Sequence, residues 1–408
     1  MLTDIHRIRS FVLAAALTAP AHIGQNLITV GPSSGPGIDY TNLQTAIFAA
    51  SDGSTILLKH GSYSGFFASQ KSLRIVADAG ATVRVTSPSI VLHIGASKSF
   101  SIKGVDFSSL SARPLWIANC DGSVWVEDTE IDQSGQNSLE AVSVVDCPDV
   151  TFVGARITSP VGRIGMRVDS EDDPTNVHLF DCEITGGSGN PAQLGGLEHG
   201  KAAVHVQNAG LYMSGSTLRG GKGVYVFDDF FGCIQSKGGP GLSMNSETSP
   251  VTVGLLDSQL IGGSGATGCG APPIDGVPFE GTGQILPLPG ARRSFTTNAP
   301  VREGQSLALS FGGSPGEYAL AALGAPDQTA TGLLAWNSWK APLLVEAGAL
   351  LVPVGTLPAG GTLALALPIG ELGVDAFTLH AQSVFVDLAA QSVRAGPVAQ
   401  ITLLDAAE

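Results

Sequence analysis

The sequence predicts an all-β chain built around a parallel β-solenoid, and three observations carry that expectation. An eight-residue phrase recurs six times between residues 91 and 260: FSIKGVDF from Phe100, VWVEDTEI from Val124, VTFVGARI from Val150, VHLFDCEI from Val177, LYMSGSTL from Leu211 and VGLLDSQL from Val253. Its first, third and eighth positions are apolar in every copy, and the alternation has the period of a strand. A shorter strand-like phrase precedes most copies: VLHI, LWIAN, VSVVD, MRVDS, VHVQN, LSMNS. Units of this size cannot bury an apolar face alone, so they stack.

Successive copies start 24, 26, 27, 34 and 42 residues apart. A coil of three short strands needs roughly 20 to 30 residues. The last two intervals therefore hold a coil plus an insertion, at residues 185–201 and 219–241.

Composition narrows the function classes. The 408 residues are 43% hydrophobic and 14% charged, with 53 glycines, which suits short strands joined by tight turns and excludes disorder. A net charge of −14 argues against nucleic acid and anionic membranes. Residues 1–21 read as a secretory signal peptide. His6, Arg7 and Arg9 precede an apolar centre at 11–17, and Ala19-Pro20-Ala21 forms the small-x-small cleavage site. No later apolar run reaches spanning length, so the expectation is an exported protein without a membrane span, acting as a monomer.

Residues 22–53 are expected to form an N-terminal segment and helical cap. Leu43, Ala46, Ile47 and Ala50 share one helix face, with Asp39 or Thr41 as the N-cap. Such a helix would cover the apolar end of the solenoid, which runs over 54–265. Its sequel, with Ala50, Asp52, Gly53, Thr55, Ile56, Gly61 and Tyr63, resembles the opening segment of right-handed parallel β-helix proteins of the pectate-lyase-like superfamily. The resemblance covers residues 37 to about 265 and implies the right-handed fold. Asn119, Asp146, Asp169, Asn208 and Asn245 are expected as a column of stacked turn residues. Residues 266–291 read as a Pro/Gly-rich linker. Residues 292–408 read as a small antiparallel β-sandwich, whose phrases resemble C-terminal modules on secreted proteins of planctomycete-type bacteria. Trp336 and Trp339 there are expected to pack in a core or edge.

Alternation also names the outward face of the strand that precedes each phrase: Trp116, Ser143, Arg167, Asp169, His205, Gln207 and Asn245. The resemblance implies a substrate groove along such a face. Arg167, His205 and Asp169 are the catalytic candidates, since proton transfer beside a sugar carbon needs a base next to a charge-stabilising group. Trp116 and Gln207 are substrate-binding candidates. So are Glu198, His199, Lys201, Tyr225, Asp228 and Asp229 in the insertions, where Phe227, Phe230 and Phe231 otherwise pack on the solenoid. Glu130, Arg156, Glu183, Thr217 and Gln259 read as an ion-pair ladder. Asp172 and Asp173, in the acidic turn 170–176, are the candidate calcium ligands, against a plain solvated turn; no other cofactor is implied. Cys120 with Cys147 and Cys233 with Cys269 are candidate disulfides, and Cys182 a buried thiol.

Two functions fit the sequence. One is polysaccharide binding along the lateral face, as a lyase or a glycoside hydrolase. The other is a non-catalytic surface or adhesion protein that binds a cell-surface component.

Overall fold

The computed structural model describes residues 26–110, 112–133, 139–191, 198–228, 232–324, 342, 344–345 and 349–406. The expected signal peptide, and Trp336 and Trp339, lie outside them. The chain divides into two compact units, one holding most of residues 28–291 and the other Arg292–Glu408.

The first unit is a parallel β-helix of three long sheets. A leading sheet takes the short strand before each phrase, as in Leu115–Ala118, Val142–Val145, Met166–Asp169, Val204–Gln207 and Leu242–Asn245. A central sheet takes the first half of each phrase and a trailing sheet its end. All neighbours within these sheets are in parallel register, one coil apart. The apolar phrase positions form the interior columns. Phe100, Val124, Val150, Val177, Leu211 and Val253 stack in one, and Phe107, Ile131, Ile157, Ile184 and Leu218 in another, none more than 1% exposed.

The corners explain the polar letters of the phrase. Its fifth residue is Gly104, Asp128, Gly154, Asp181, Gly215 and Asp257 in the six copies, and each takes a positive φ, between 48° and 70°. Glycine does so without a β-carbon clash and Asp by bonding locally, which favours these types there. The earlier corner carries Gln70, His93, Asn119, Asp146 and Asn208, also with positive φ. Asp169 and Asn245 do not belong to that column. Each ends its strand, because Asp146 N–H bonds the Asp169 carbonyl and Asn208 N–H the Asn245 carbonyl. The corner there is taken by Ser170 and Ser246.

Those serines open two matching turns, Ser-Glu-x-x-Pro, at Ser170 and Ser246. In the first, Asp146 Oδ1 accepts the N–H groups of Glu171, Asp172 and Asp173 at 2.8, 3.1 and 3.2 Å. In the second, Asn208 Oδ1 accepts those of Glu247, Thr248 and Ser249 at 2.8, 2.9 and 3.4 Å. Asp146→Ala removes the acceptor of three part-buried donors and places alanine in left-handed backbone. The two effects should together destabilise the unit by about 3 kcal/mol. Asp146→Asn, the arrangement nature uses at position 208, should stay within about 1 kcal/mol; urea unfolding of both variants checks this.

The end is capped as expected by the helix Leu43–Ala49, whose Leu43, Ala46 and Ile47 join the solenoid core. Asn42 is the N-cap, its Oδ1 accepting from Thr45 N–H at 2.9 Å, in place of Asp39 or Thr41. Asp39 instead accepts from Thr29 N–H in the strand Leu27–Val30. Lys71 Nζ donates to the carbonyls of Ile47, Phe48 and Ala50, satisfying the helix C-terminus.

Residues 266–291 do not form a linker. Phe279–Gly281 pairs with Leu242–Asn245 in the leading sheet, and Gln284–Leu288 with Thr252–Leu256 in the central sheet, adding one more coil. The Pro/Gly content that suggested a linker serves a different architecture. In the last coils the chain leaves the trailing sheet through glycine-rich segments at 186–189, 220–223 and 262–265, and returns through 199–202, 236–240 and 274–277. These segments are outside strand and helix. A relay of main-chain bonds knits them: Lys201 N–H to Gly187 O, Gly221 to Lys201, Gly239 to Gly221, Gly263 to Gly239 and Gly276 to Gly263, each 2.8 or 2.9 Å. A β-carbon at Gly187 would collide with the Pro160 carbonyl oxygen, one at Gly221 with that of Gly187, and one at Gly263 with that of Gly221. None of these three has a positive φ. They are glycine for close approach of backbones, not for turning. The two insertions are what each returning loop adds beyond this bundle.

The second unit is a β-sandwich. Ser294–Thr297, Ser306–Gly312 and Thr362–Pro368 form one sheet; Val301–Arg302, Ser392–Leu404, Ala376–Asp387, Tyr318–Gly324 and Leu350–Thr356 form the other. Pairing is antiparallel except between Val301–Arg302 and the end of Ser392–Leu404. Phe295, Leu309 and Phe311 from the first sheet meet Ala381, Phe385 and Ile401 from the second in one core. A buried Arg293–Glu317 ion pair, with Nε to Oε2 at 2.7 Å, lies within the same unit.

Candidate functional site

The outward side chains of the leading sheet form one line. Trp116 is in register with Ser143, Ser143 with Arg167, Arg167 with His205 and His205 with Ser243. Neighbouring coils are about 4.8 Å apart, so Arg167 and His205 stand side by side and Trp116 two coils away. This is the arrangement alternation predicts.

The chemistry around that line is more tightly paired than the strand pattern suggests. Arg167 donates to Asp169 Oδ2 through Nε at 3.1 Å and again through Nη2, with Glu171 Oε1 at 4.0 Å. Burial by itself would lower the Arg167 pKa, but the bonds and charge of Asp169 outweigh it and hold the guanidinium above its ordinary value. It is a fixed cation and not a base. Asp169, expected to face a ligand, is fully buried beneath this pair. Its second oxygen, Oδ1, has no hydrogen-bond partner.

Two residues that the strand pattern misses complete the cluster. Arg113 and Glu140 sit in the loops ahead of Leu115–Ala118 and Val142–Val145. Arg113 Nη2 bonds Glu140 Oε1 at 2.6 Å, and its guanidinium carbon lies 5.4 Å from the centre of the Trp116 ring. Trp116 thus has one face against a cation, and its indole Nε1 is buried without a partner. No period marks such loop residues, so only an unusual charge beside an outward tryptophan hinted at them.

His205 is half-buried, with Nδ1 3.3 Å from Ser243 Oγ and a hydrogen bond to Gln207. Burial lowers its pKa below the ordinary 6.5; the Gln207 bond and the charges of Asp169 and Glu140 oppose this, and Arg167 adds to it. The imidazole is therefore neutral at pH 7 and able to accept a proton. The sign for stability follows: a depressed histidine contributes fully above 6.5, and the contribution is lost as pH falls from 6.5 toward the folded-state pKa. His205→Gln should flatten that part of the stability–pH curve, as chemical unfolding at pH 7.5 and 5 would read.

Elsewhere the candidate residues separate. Lys201 pairs with Glu198 at 3.5 Å, and His199 Nδ1 accepts from Lys237 N–H at 3.2 Å, so these residues brace the insertions. Tyr225 and Phe227 lie on a hairpin, Tyr225–Asp228 with Gly232–Gln235. Asp229, Phe230 and Phe231 lie outside the described residues, as does the side chain of Asp228. In the trailing sheet, Arg156 is in register with both Glu130 and Glu183 and pairs with Glu183 at 3.6 Å. Asp172 and Asp173 are exposed, and the N–H groups of their turn point at Asp146. Among the described residues no three His, Cys, Asp or Glu side chains converge as a metal site needs.

Cys233 and Cys269 are bonded, with Cα atoms 5.2 Å apart. Cys120 and Cys147 are free and buried, which corrects the expected second bridge. Their α-carbons, stacked about 4.8 Å apart, are within disulfide range, but in parallel register the Cα–Cβ bonds run side by side and keep the β-carbons near that spacing, against about 3.8 Å in a disulfide. The thiols hydrogen-bond instead, which lowers the Cys120 pKa, and burial pushes that of Cys147 up. Cys182 is a buried thiol, pushed up to about 12 by burial.

No protein-family model matches this chain, and no curated protein matches it in sequence. Among solved structures it is similar to the pectate lyase Pel9A, at 12% identity and a TM-score of 0.26, over 60% of this chain and 79% of that one. It is also similar to the full-length tailspike protein 2 from Escherichia coli O157:H7 bacteriophage CAB120, at 9% identity and a TM-score of 0.28, over 93% of this chain and 68% of that one. The parallel β-helix stands on the strand order and register given above.

Proposed function

We propose that the protein is exported and binds polysaccharide along its leading-sheet face, with Trp116 as the stacking contact and Arg167, His205 and Gln207 as polar contacts. One observation carries this reading. Trp116, Arg167 and His205 project from registered strands at the spacing of an extended chain, beside buried polar atoms, Trp116 Nε1 and Asp169 Oδ1, that lack partners. The Cys233–Cys269 bridge supports export, since such bonds persist in oxidising compartments.

If the face is catalytic, His205 is its proton acceptor and Arg167 its charge-stabilising group, in a lyase or a glycoside hydrolase. The commitment of Arg167 to Asp169 favours the second reading, a non-catalytic recognition surface. Incubation with acidic and neutral polysaccharides, with and without calcium, separates these. Ultraviolet absorbance of an unsaturated product together with new reducing ends means a lyase, and reducing ends alone a hydrolase. Silence with retention in a pull-down means a binding protein. Silence in both refutes the polysaccharide reading.

A further inference from the structure

The hairpin in the second insertion is built to hold an aromatic ring in the open. Two-stranded ribbons are marginal in water on their own. This one is fastened to the next coil by the Cys233–Cys269 disulfide and by the Gln235 amide, which donates to the Pro272 carbonyl at 2.8 Å and the Ala271 carbonyl at 3.5 Å. Its base is closed by Val224 N–H to Ser236 Oγ and Ser236 N–H to Val224 O, both 2.8 Å. A β-carbon at Gly268 would lie 2.9 Å from Cδ1, Cε1 and Cζ of Tyr225, so bare main chain backs that ring. Yet Tyr225 is 54% exposed and Phe227, two residues on, 75% exposed. These rings do not pack on the solenoid, as residues of their area ordinarily would.

The hairpin lies just ahead of Leu242–Asn245, the leading strand beside His205. The exposed cations Lys222 and Lys237 flank it, disfavouring a cationic glycan. The chain's net charge of −14 disfavours a polyanion. We infer that Tyr225 is a stacking platform, held by the Cys233–Cys269 bridge, for a neutral hexopyranose with equatorial substituents, whose ring faces present only C–H bonds. This rests on the polysaccharide reading above and names its substrate class.

The test is calorimetric titration of the oxidised full chain with cellohexaose, chitohexaose and hexagalacturonate. Binding of a neutral hexasaccharide is expected, weakened about tenfold in Tyr225→Ala and changed less than about twofold in Tyr225→Phe. Reductant, or Cys233→Ser with Cys269→Ser, should weaken it comparably, with the thermal midpoint of Tyr225→Ala unchanged. Full affinity in Tyr225→Ala, alongside loss in Trp116→Ala, overturns the platform and leaves the lateral face standing. Tighter binding of hexagalacturonate overturns the sugar class. Binding of none of the three overturns the platform together with the reading beneath it.

Discussion

Gly221→Ala is expected to lower the stability of the β-helix unit by about 3 kcal/mol or more, the upper range for overpacking a site whose neighbours cannot yield. The added methyl would meet the Gly187 carbonyl oxygen, and Gly221 N–H and O both belong to the relay joining Lys201 and Gly239. Moving any one segment breaks bonds to two others. The loss should also reach function, because these segments hold the Tyr225 hairpin. Gly35→Ala is the matched control: nothing lies within 4 Å of the added atom and φ is not positive, so its effect should stay within about 0.5 kcal/mol. Urea midpoints at constant slope read both.

Arg167→Ala should be the most damaging substitution on the leading-sheet face. It leaves the Asp169 carboxylate, fully buried, without its charge partner. Breaking a buried pair from one side destabilises by about 3–5 kcal/mol, and the partial exposure of Arg167 points to the lower end, about 3 kcal/mol. The double variant Arg167→Ala/Asp169→Ala should recover part of this, with a coupling of about 2 kcal/mol in a double-mutant cycle. Additive losses would mean that the two side chains are independent. The pairing also makes Arg167→Ala a poor probe of binding, since a stability loss would mimic a functional one. Trp116→Ala and His205→Ala avoid that confusion.

What the sequence made legible was whatever repeats with a strand's period. Phe100, Val124 and Val150 predict the interior, and the same alternation puts Arg167 beside His205. The fifth phrase position, Gly or Asp in every copy, carries an equally regular mark of left-handed corners that strand alternation does not read. What escaped has no period of its own. Arg113 and Glu140 reach the site from loops of different length. Asp169 and Asn245 resemble the neighbouring corner residues but lie one position early, because a serine-led turn replaces the simple corner in their coils. The glycines at 262–263 and 276 look like punctuation, although their role is close packing. Stacked cysteines look bridgeable by coil spacing, until the parallel direction of their side chains is taken into account.

The glycine relay bears on how the loops can be re-engineered. It fixes the take-off and landing points of each excursion chiefly through main-chain bonds, with Ser236 Oγ and His199 Nδ1 as side-chain braces, so the coil register depends little on what lies between them. The Cys233–Cys269 bridge and the Gln235 amide tie the second and third excursions to each other, so those two act as one cassette on this frame. A graft that replaces the linked pair together between those anchor points should inherit the frame intact.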